Sequence, residues 1–245
     1  MKTPALALTL LAAAAATTAQ SVDDVVSRYL EARGGLARLR SVQSLRLSGR
    51  MHLADIEAPF VLELKRPAKM RTEFTVNGQK GVQAYDGRTA WSVSPLPGEP
   101  ARRMEPEEAR EARVQADVDL SPLVDSEAKG YTVRLQGREA LSGGETWKLL
   151  VTGGGGPDRT LYLDTRTHFV VRAEEKRDLD GETVDFVTEF GDYRTVDGLV
   201  YPHRIDVAPK GRPEERQRLE IESVEVNPPL DDARFSMPAP PPPTR

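Results

Sequence analysis

Hydrophobic residues recur at every second position over most of the chain, which is the pattern of half-buried β-strands. The alternation starts at Leu45, Leu47 and Met51 and continues in later runs that turn sequences separate, among them Asn77-Gly78, a strong hairpin signal. Turn signals at intervals of roughly eight to twelve residues are typical of an all-β sheet. The pattern predicts about eleven or twelve antiparallel strands in one continuous, strongly curved sheet. Two domains, one for each run of strands, are the alternative.

Two segments have helical periodicity instead. Apolar residues from Val22 to Leu30 lie three and four positions apart, after a Ser21–Asp24 capping box and before Gly34-Gly35. The charged stretch 105–119 is helix-prone and carries Pro106 where a first helical turn tolerates it. We therefore expect an N-terminal helix and a helical insertion between the two runs of strands.

Residues 1–19 have the features of an export signal. Lys2 provides a positive start, an apolar run from Ala5 to Ala16 follows, and Thr17-Thr18-Ala19 resembles a cleavage site. The run is shorter than the ~20 residues that a membrane-spanning helix needs. We expect a soluble, exported mature chain that begins at Gln20, with a retained apolar anchor as the alternative. Residues 238–245 are proline-rich, which predicts an extended or disordered tail.

Composition and motifs argue against most kinds of chemistry. The net charge of −4 does not favour nucleic-acid binding, and the absence of cysteine excludes disulfides, thiolate nucleophiles and cysteine-ligated metals. His52, His168 and His203 are isolated, so no metal-site spacing occurs. No G-x-S-x-G elbow is present either. We therefore expect no catalysis, no metal and no cofactor.

The concave face of the curved sheet is the remaining candidate site. Alternation indicates that one face is buried, but it leaves open whether side chains, helices or a lipid fill the space. An ordinary filled core is the alternative. The residues predicted to line an apolar cavity are Leu62, Leu64, Phe74, Val76, Tyr85, Trp91 and Val93 in the first run of strands, and Leu149, Val151, Leu161, Leu163, Phe169, Phe186 and Phe190 in the second.

Several short motifs resemble those of LolA-type periplasmic lipoprotein carriers. Lys65-Arg66-Pro67 and the run from Asp86 to Trp91 are similar to the "KRP…DGKTLW" stretch of that family, and the run from Asp232 to Pro238 is similar to its "DAAKF…P" close. The region from Val22 to Met51 and the strand runs look more like the outer membrane lipoprotein-sorting branch. Gly34-Gly35, the charged insertion and the low aromatic content depart from the classical carrier, and these differences leave the cargo open.

The resemblance implies a fold and a function. The fold would be a single unclosed antiparallel β-barrel of about eleven strands over residues 20–237, with an N-terminal helix and a helical lid. The function would be a periplasmic, monomeric carrier of a lipid or an acylated lipoprotein, working with membrane-bound donor and acceptor proteins. Arg66 would latch the lid by donating hydrogen bonds to lid backbone. The alternatives are an RseB-like envelope-stress sensor or interaction protein, and a structural protein with a filled core.

Overall fold

The computed structural model describes residues 20–54, 56–179 and 181–239. The predicted export signal at 1–19 and the last part of the predicted tail, 240–245, lie outside the described residues. Within the described ranges, thirteen antiparallel strands form one sheet. The mainly β, unclosed fold predicted from the sequence is confirmed, with slightly more strands than expected.

Three α-helices and thirteen strands follow one another along the described chain. The helices are α1 (Val22–Ala32), α2 (Leu36–Ser41) and α3 (Pro106–Gln115). The strands are β1 (Ser44–Leu53), β2 (Ile56–Lys65), β3 (Lys69–Val76), β4 (Gln79–Tyr85), β5 (Ala90–Val93), β6 (Arg102–Arg103), β7 (Tyr131–Leu141), β8 (Gly144–Gly153), β9 (Arg159–Asp164), β10 (Val170–Leu179), β11 (Glu182–Val196), β12 (Leu199–Pro209) and β13 (Gln217–Val226). Their order across the sheet is β6-β5-β4-β3-β2-β1-β13-β12-β11-β10-β9-β8-β7, so β6 and β7 are the two edges.

The sheet curves strongly around its concave face. Six strand spacings separate β2 from β9, which is roughly 29 Å in a flat sheet. Leu62 of β2 and Leu161 of β9 nevertheless line the same cavity of about 320 Å³. One bulge that bends the sheet lies at Ser48/Gly49, where a Cβ on Gly49 would lie 1.9 Å from the Glu220 carbonyl oxygen. Glycine at this position therefore allows β1 and β13 to pair closely.

Helix α1 covers one end of the concave face. The predicted capping box is present: the Asp24 amide donates to the Ser21 hydroxyl at 3.1 Å, and the Ser21 amide donates to the Asp24 carboxylate at 3.3 Å. Val25 and Tyr29 are buried in a cluster with apolar side chains of β8 and β9. The apolar stripe of this helix therefore fills the space above those strands.

A lid, defined here as residues 106–130, connects the edge strands β6 and β7 across the concave face. It consists of α3, which buries Ala112 in the main core, and of the segment that follows the helix. That segment buries Ala116, Val118 and Val124 in the same core. The predicted helical insertion is confirmed, although α3 ends at Gln115 rather than near residue 119. Two acidic residues soon after the helix, the half-buried Asp117 and the buried Asp119, belong to an ion-pair cluster described below.

The C-terminal strap, residues 228–237, packs on the opposite, outer face of the sheet. The Trp91 indole nitrogen donates to the Phe235 carbonyl at 2.8 Å, and Phe235 is fully buried. Arg234 donates to the buried carboxylate of Glu63 at 2.8 Å. The Lys65 ammonium donates to the Leu230 carbonyl at 2.7 Å. These bonds attach the strap to the outer face of strands β2 to β5.

Candidate functional site

An apolar cavity with two adjoining chambers lies between the concave face and the lid. The larger chamber has a volume of about 600 Å³ and the smaller one about 320 Å³, both within the usual range of small-molecule sites. Both chambers are lined by Phe60, Leu62, Leu120, Ser121, Pro122, Arg159 and Leu219. The shared wall combines sheet residues with the lid segment that follows α3, so movement of the lid would open both chambers.

Four of the residues predicted to line a cavity do so. Leu62 lines both chambers, Phe74 the larger one, and Leu161 and Phe190 the smaller one. They come from strands β2, β3, β9 and β11, which only the curvature of the sheet brings together. Their role in binding a ligand stays a prediction.

Other predicted residues lie on the concave face, but helices cover them. Leu64 and Tyr85 are buried in the core cluster that includes the lid residues Ala112 and Ala116. Helix α1 likewise covers three predicted residues of β8 and β9. These residues pack against its apolar stripe and are Leu149, Val151 and Leu163. For these five positions the alternative of an ordinary filled core describes the structure.

The remaining residues of the second run, and Val76, lie towards the margins of this face. Val76 is half-buried at the end of β3. Phe169 stacks on Tyr193 with ring centroids 4.4 Å apart. The Arg177 guanidinium lies 4.6 Å from the centre of the Phe186 ring. None of the three predicted residues is part of the wall of either chamber among the described residues.

The expected position of Trp91 and Val93 was wrong. Tyr85 pairs with Ala90 across β4 and β5, so Trp91 pairs with Ala84 and points to the opposite face. Both predicted residues pack with Val82 and Ala84 on the outer face, beside the strap. The turn 86–89 sets this register, and a register shift of one residue moves a side chain to the other face.

Arg66 contacts the lid region, but through a side chain rather than the expected backbone. Its Nη2 donates to a carboxylate oxygen of Asp119 at 2.6 Å, and its Nε donates to the Val42 carbonyl at 2.7 Å. The Asp119 side chain is 1% exposed, whereas that of Arg66 is 28% exposed. Arg66 therefore ties the lid to the segment between α2 and β1.

Lys129 completes this ion-pair cluster within the lid. Its ammonium lies 2.8 Å from Asp117 and 2.7 Å from Asp119. Burial raises the pKa of Asp117, while the nearby ammonium opposes that shift. The two carboxylates and two cations hold the lid segment beside the larger chamber, which Asp117 helps to line.

The smaller chamber has a polar wall that the sequence analysis missed. Tyr29, Arg33, Tyr193 and Tyr201 all line it. Arg33 lies four residues after Tyr29, so it continues the apolar stripe of α1, and this unusual place for a charge was the available signal. Burial raises the pKa of Tyr201 to about 12 and also raises that of Tyr193, so both phenols stay neutral.

Comparison with known proteins identifies the fold. No protein-family model and no curated protein matches the chain. A DUF1329 family protein from Desulfovibrio piger is similar in structure, with a TM-score of 0.60 and 16% identity over 89% of this chain and 98% of that one. A LolA superfamily protein from Nitrosomonas europaea has a TM-score of 0.59 and 14% identity over 89% and 98% of the two chains. A putative outer membrane lipoprotein-sorting protein domain from Vibrio parahaemolyticus has a TM-score of 0.55 and 11% identity over 86% and 94%.

Proposed function

We propose that this chain, which has a LolA-like fold, is a periplasmic carrier that binds the acyl chain of a lipid or lipoprotein for transport toward the outer membrane. The observation that carries the proposal is the two-chambered apolar cavity between the sheet and the lid. The similarity to a lipoprotein-sorting domain and a LolA superfamily protein supports it at the level of the fold.

An acyl carrier needs an apolar space more than it needs reactive groups. Burying each methylene contributes about 0.8 kcal/mol, so a chain in the cavity is held by exclusion of water. Phe60, Leu62, Phe74 and Leu219 provide such a surface in the larger chamber. We propose no catalytic step, because binding and release by the lid are sufficient for transport.

The proposal includes export and a single carrier domain. Residues 1–19 would direct export, residues 20–237 would form the carrier, and membrane-bound proteins would supply and receive the cargo. In the described ranges, no helix has the length and apolar character required to cross a membrane. We propose that the carrier acts as a monomer.

Purification without detergent tests the proposal directly. The exported protein is analysed by native mass spectrometry and by organic extraction. We expect a co-purifying lipid or acylated peptide, in a ratio near one to one, and uptake of a fluorescent acyl probe by the emptied protein. A ligand-free mass together with no probe uptake would contradict the carrier and favour a protein-binding role.

Two neighbouring substitutions make the test specific to the cavity. Leu62→Glu places a carboxylate between the chambers, which disfavours an apolar ligand. Val61→Glu places the same charge on the outer face, because adjacent strand residues point in opposite directions. We expect probe binding to be lost only in Leu62→Glu, with circular dichroism confirming that both variants fold. Equal binding by the two variants would contradict the assignment of the cavity.

A further inference from the structure

Arg33 is a buried cation without an ionic partner. It is the C-cap residue that follows α1, and it is 4% exposed. Its Nη1 donates a hydrogen bond to the Tyr29 hydroxyl at 2.8 Å. Its Nε is buried and finds no hydrogen-bond acceptor in the part of the chain that the structure describes. The guanidinium also lies 5.7 Å and 5.5 Å from the ring centres of Tyr29 and Tyr201. These rings partly compensate the charge, but they do not neutralise it.

The surroundings of Arg33 provide no anion for it. Within residues 20–54, 56–179 and 181–239, no carboxylate forms an ion pair with this guanidinium. The carboxylate that lines the same chamber, Glu175, is shared by Arg159 at 2.6 Å and Arg177 at 2.7 Å. Three guanidinium groups therefore line the smaller chamber with one carboxylate. A buried charge is costly unless it is paired, so this chamber is suited to an anion brought by a ligand.

Among the described residues, the tyrosines around Arg33 accept only one hydrogen bond from its guanidinium, the one from Nη1 to the Tyr29 hydroxyl. The other donors of the guanidinium stay available to a ligand. The Tyr29 hydroxyl donates to the Ser121 hydroxyl at 2.8 Å, and the Tyr193 hydroxyl donates to the Val170 carbonyl at 2.5 Å. Ser121 belongs to the lid, so the polar wall is continuous with the part of the structure that closes the cavity. Apolar residues, among them Leu161 and Phe190, line another part of the chamber. An oxyanion at Arg33 would thus have hydrocarbon surface beside it.

We infer that Arg33 binds the oxyanion at one end of an acyl chain, with the hydrocarbon lying along the apolar wall of the cavity. The inference rests on the proposed carrier function and specifies its ligand class: anionic single-chain amphiphiles, with a carboxylate or a phosphate as the head group. The head group faces the end of α1, and the chain extends past Leu62 into the larger chamber. A guanidinium suits this role because it presents several donors to carboxylate or phosphate.

Ligands that differ only in the head group test this inference. Hexadecanoate, hexadecyl phosphate and 1-hexadecanol are compared on the full mature chain by displacement of a fluorescent acyl probe. We expect at least one of the two anions to bind about tenfold or more tightly than the alcohol, the advantage of a charge-assisted hydrogen bond. Whichever anion binds more tightly identifies the head group.

Substitutions then assign the preference to Arg33. Arg33→Met should bind the alcohol as the wild type does and lose the preference for the anion, while Arg33→Lys should keep part of it. Arg28→Met removes the same charge from an exposed position of the same helix and should retain the full preference. An Arg33→Met variant that keeps the preference would overturn the inference.

The outcomes separate the two proposals. Equal binding of alcohol and anions by the wild type overturns the role of Arg33 and leaves the acyl carrier intact. If none of the three ligands binds, the carrier itself fails and the role of Arg33 fails with it. The wild-type comparison needs no variant, so equal binding of alcohol and anions overturns the role of Arg33 even if Arg33→Met does not fold. In that case a weakened preference in Arg33→Lys assigns the anion to Arg33 rather than to Arg159 or Arg177, and an unchanged preference overturns the inference.

Discussion

Removing the Arg66 side chain should open the lid more often. In the closed structure its guanidinium connects the buried carboxylate of Asp119 with the Val42 carbonyl, at 2.6 and 2.7 Å. A hydrogen bond to a charged group contributes about 1.5 to 3 kcal/mol, and Asp119 keeps Lys129 as a partner in Arg66→Leu. A net loss of about 2 kcal/mol corresponds to a roughly 30-fold larger open population.

Two measurements follow this change. Stopped-flow release of a fluorescent acyl probe should become roughly 30-fold faster in Arg66→Leu, in proportion to the open population. Amide hydrogen exchange within 116–130 should accelerate, because opening exposes the backbone of that segment. Arg66→Leu with wild-type release and wild-type exchange would refute the reasoning.

Arg40 provides a matched control. It pairs with Asp125 of the same lid at 2.5 Å, but its side chain is 58% exposed. Solvent-exposed ion pairs contribute little to stability, so Arg40→Leu should leave release and exchange nearly unchanged. An equal effect of Arg40→Leu and Arg66→Leu would show that burial of the acidic partner is not what matters. A double-mutant cycle of Arg66→Leu with Asp119→Asn would measure their coupling.

Three further results are expected. Each two methylenes added to a ligand should tighten binding about 15-fold until the chambers are full, and a flat series in displacement titrations would contradict burial of the chain. Trp91→Phe, which loses the hydrogen bond to the strap, should lower the free energy of unfolding in urea by about 1 kcal/mol without changing ligand affinity. Hydrogen bonds from Lys65 and Lys69 lower the pKa of Asp232 to about 2; its contribution to stability is therefore complete above the ordinary value of 3.8 and lost as the pH falls toward 2. A carbon-detected NMR titration should find that value, and Lys65→Met should raise it.

The sequence predicted which segments form strands and helices better than it predicted on which face of the sheet each side chain lies. Alternation identified the strands, and the Ser21–Asp24 spacing identified the start of α1, because both are local patterns. The face of the sheet on which Trp91 lies depends instead on the number of residues in the turn 86–89, because that number sets the register between β4 and β5. The alternation of apolar residues within a strand does not reveal the length of the turn.

The site was only partly predictable for a related reason. Alternation places Leu62 and Leu149 on the same concave face, yet α1 covers Leu149 and leaves Leu62 beside the cavity. Where a helix lies across a sheet depends on contacts distant in sequence, which strand periodicity does not record. Arg33 was not predicted because the predicted cavity residues all came from strand alternation, whereas this charge lies on the apolar stripe of a helix.

The two edges of the sheet, β6 and β7, are neighbours in sequence although they lie at opposite ends of the strand order. The lid that joins them is therefore also a tether across the open seam of the barrel. Separating the edges further would pull on residues 106–130 and strain the Arg66–Asp119 contact. In the proposed carrier, a bulky cargo would widen the barrel and thereby release the lid without breaking a pair of strands. Cargo size and the rate of release would then be coupled mechanically through one segment of chain.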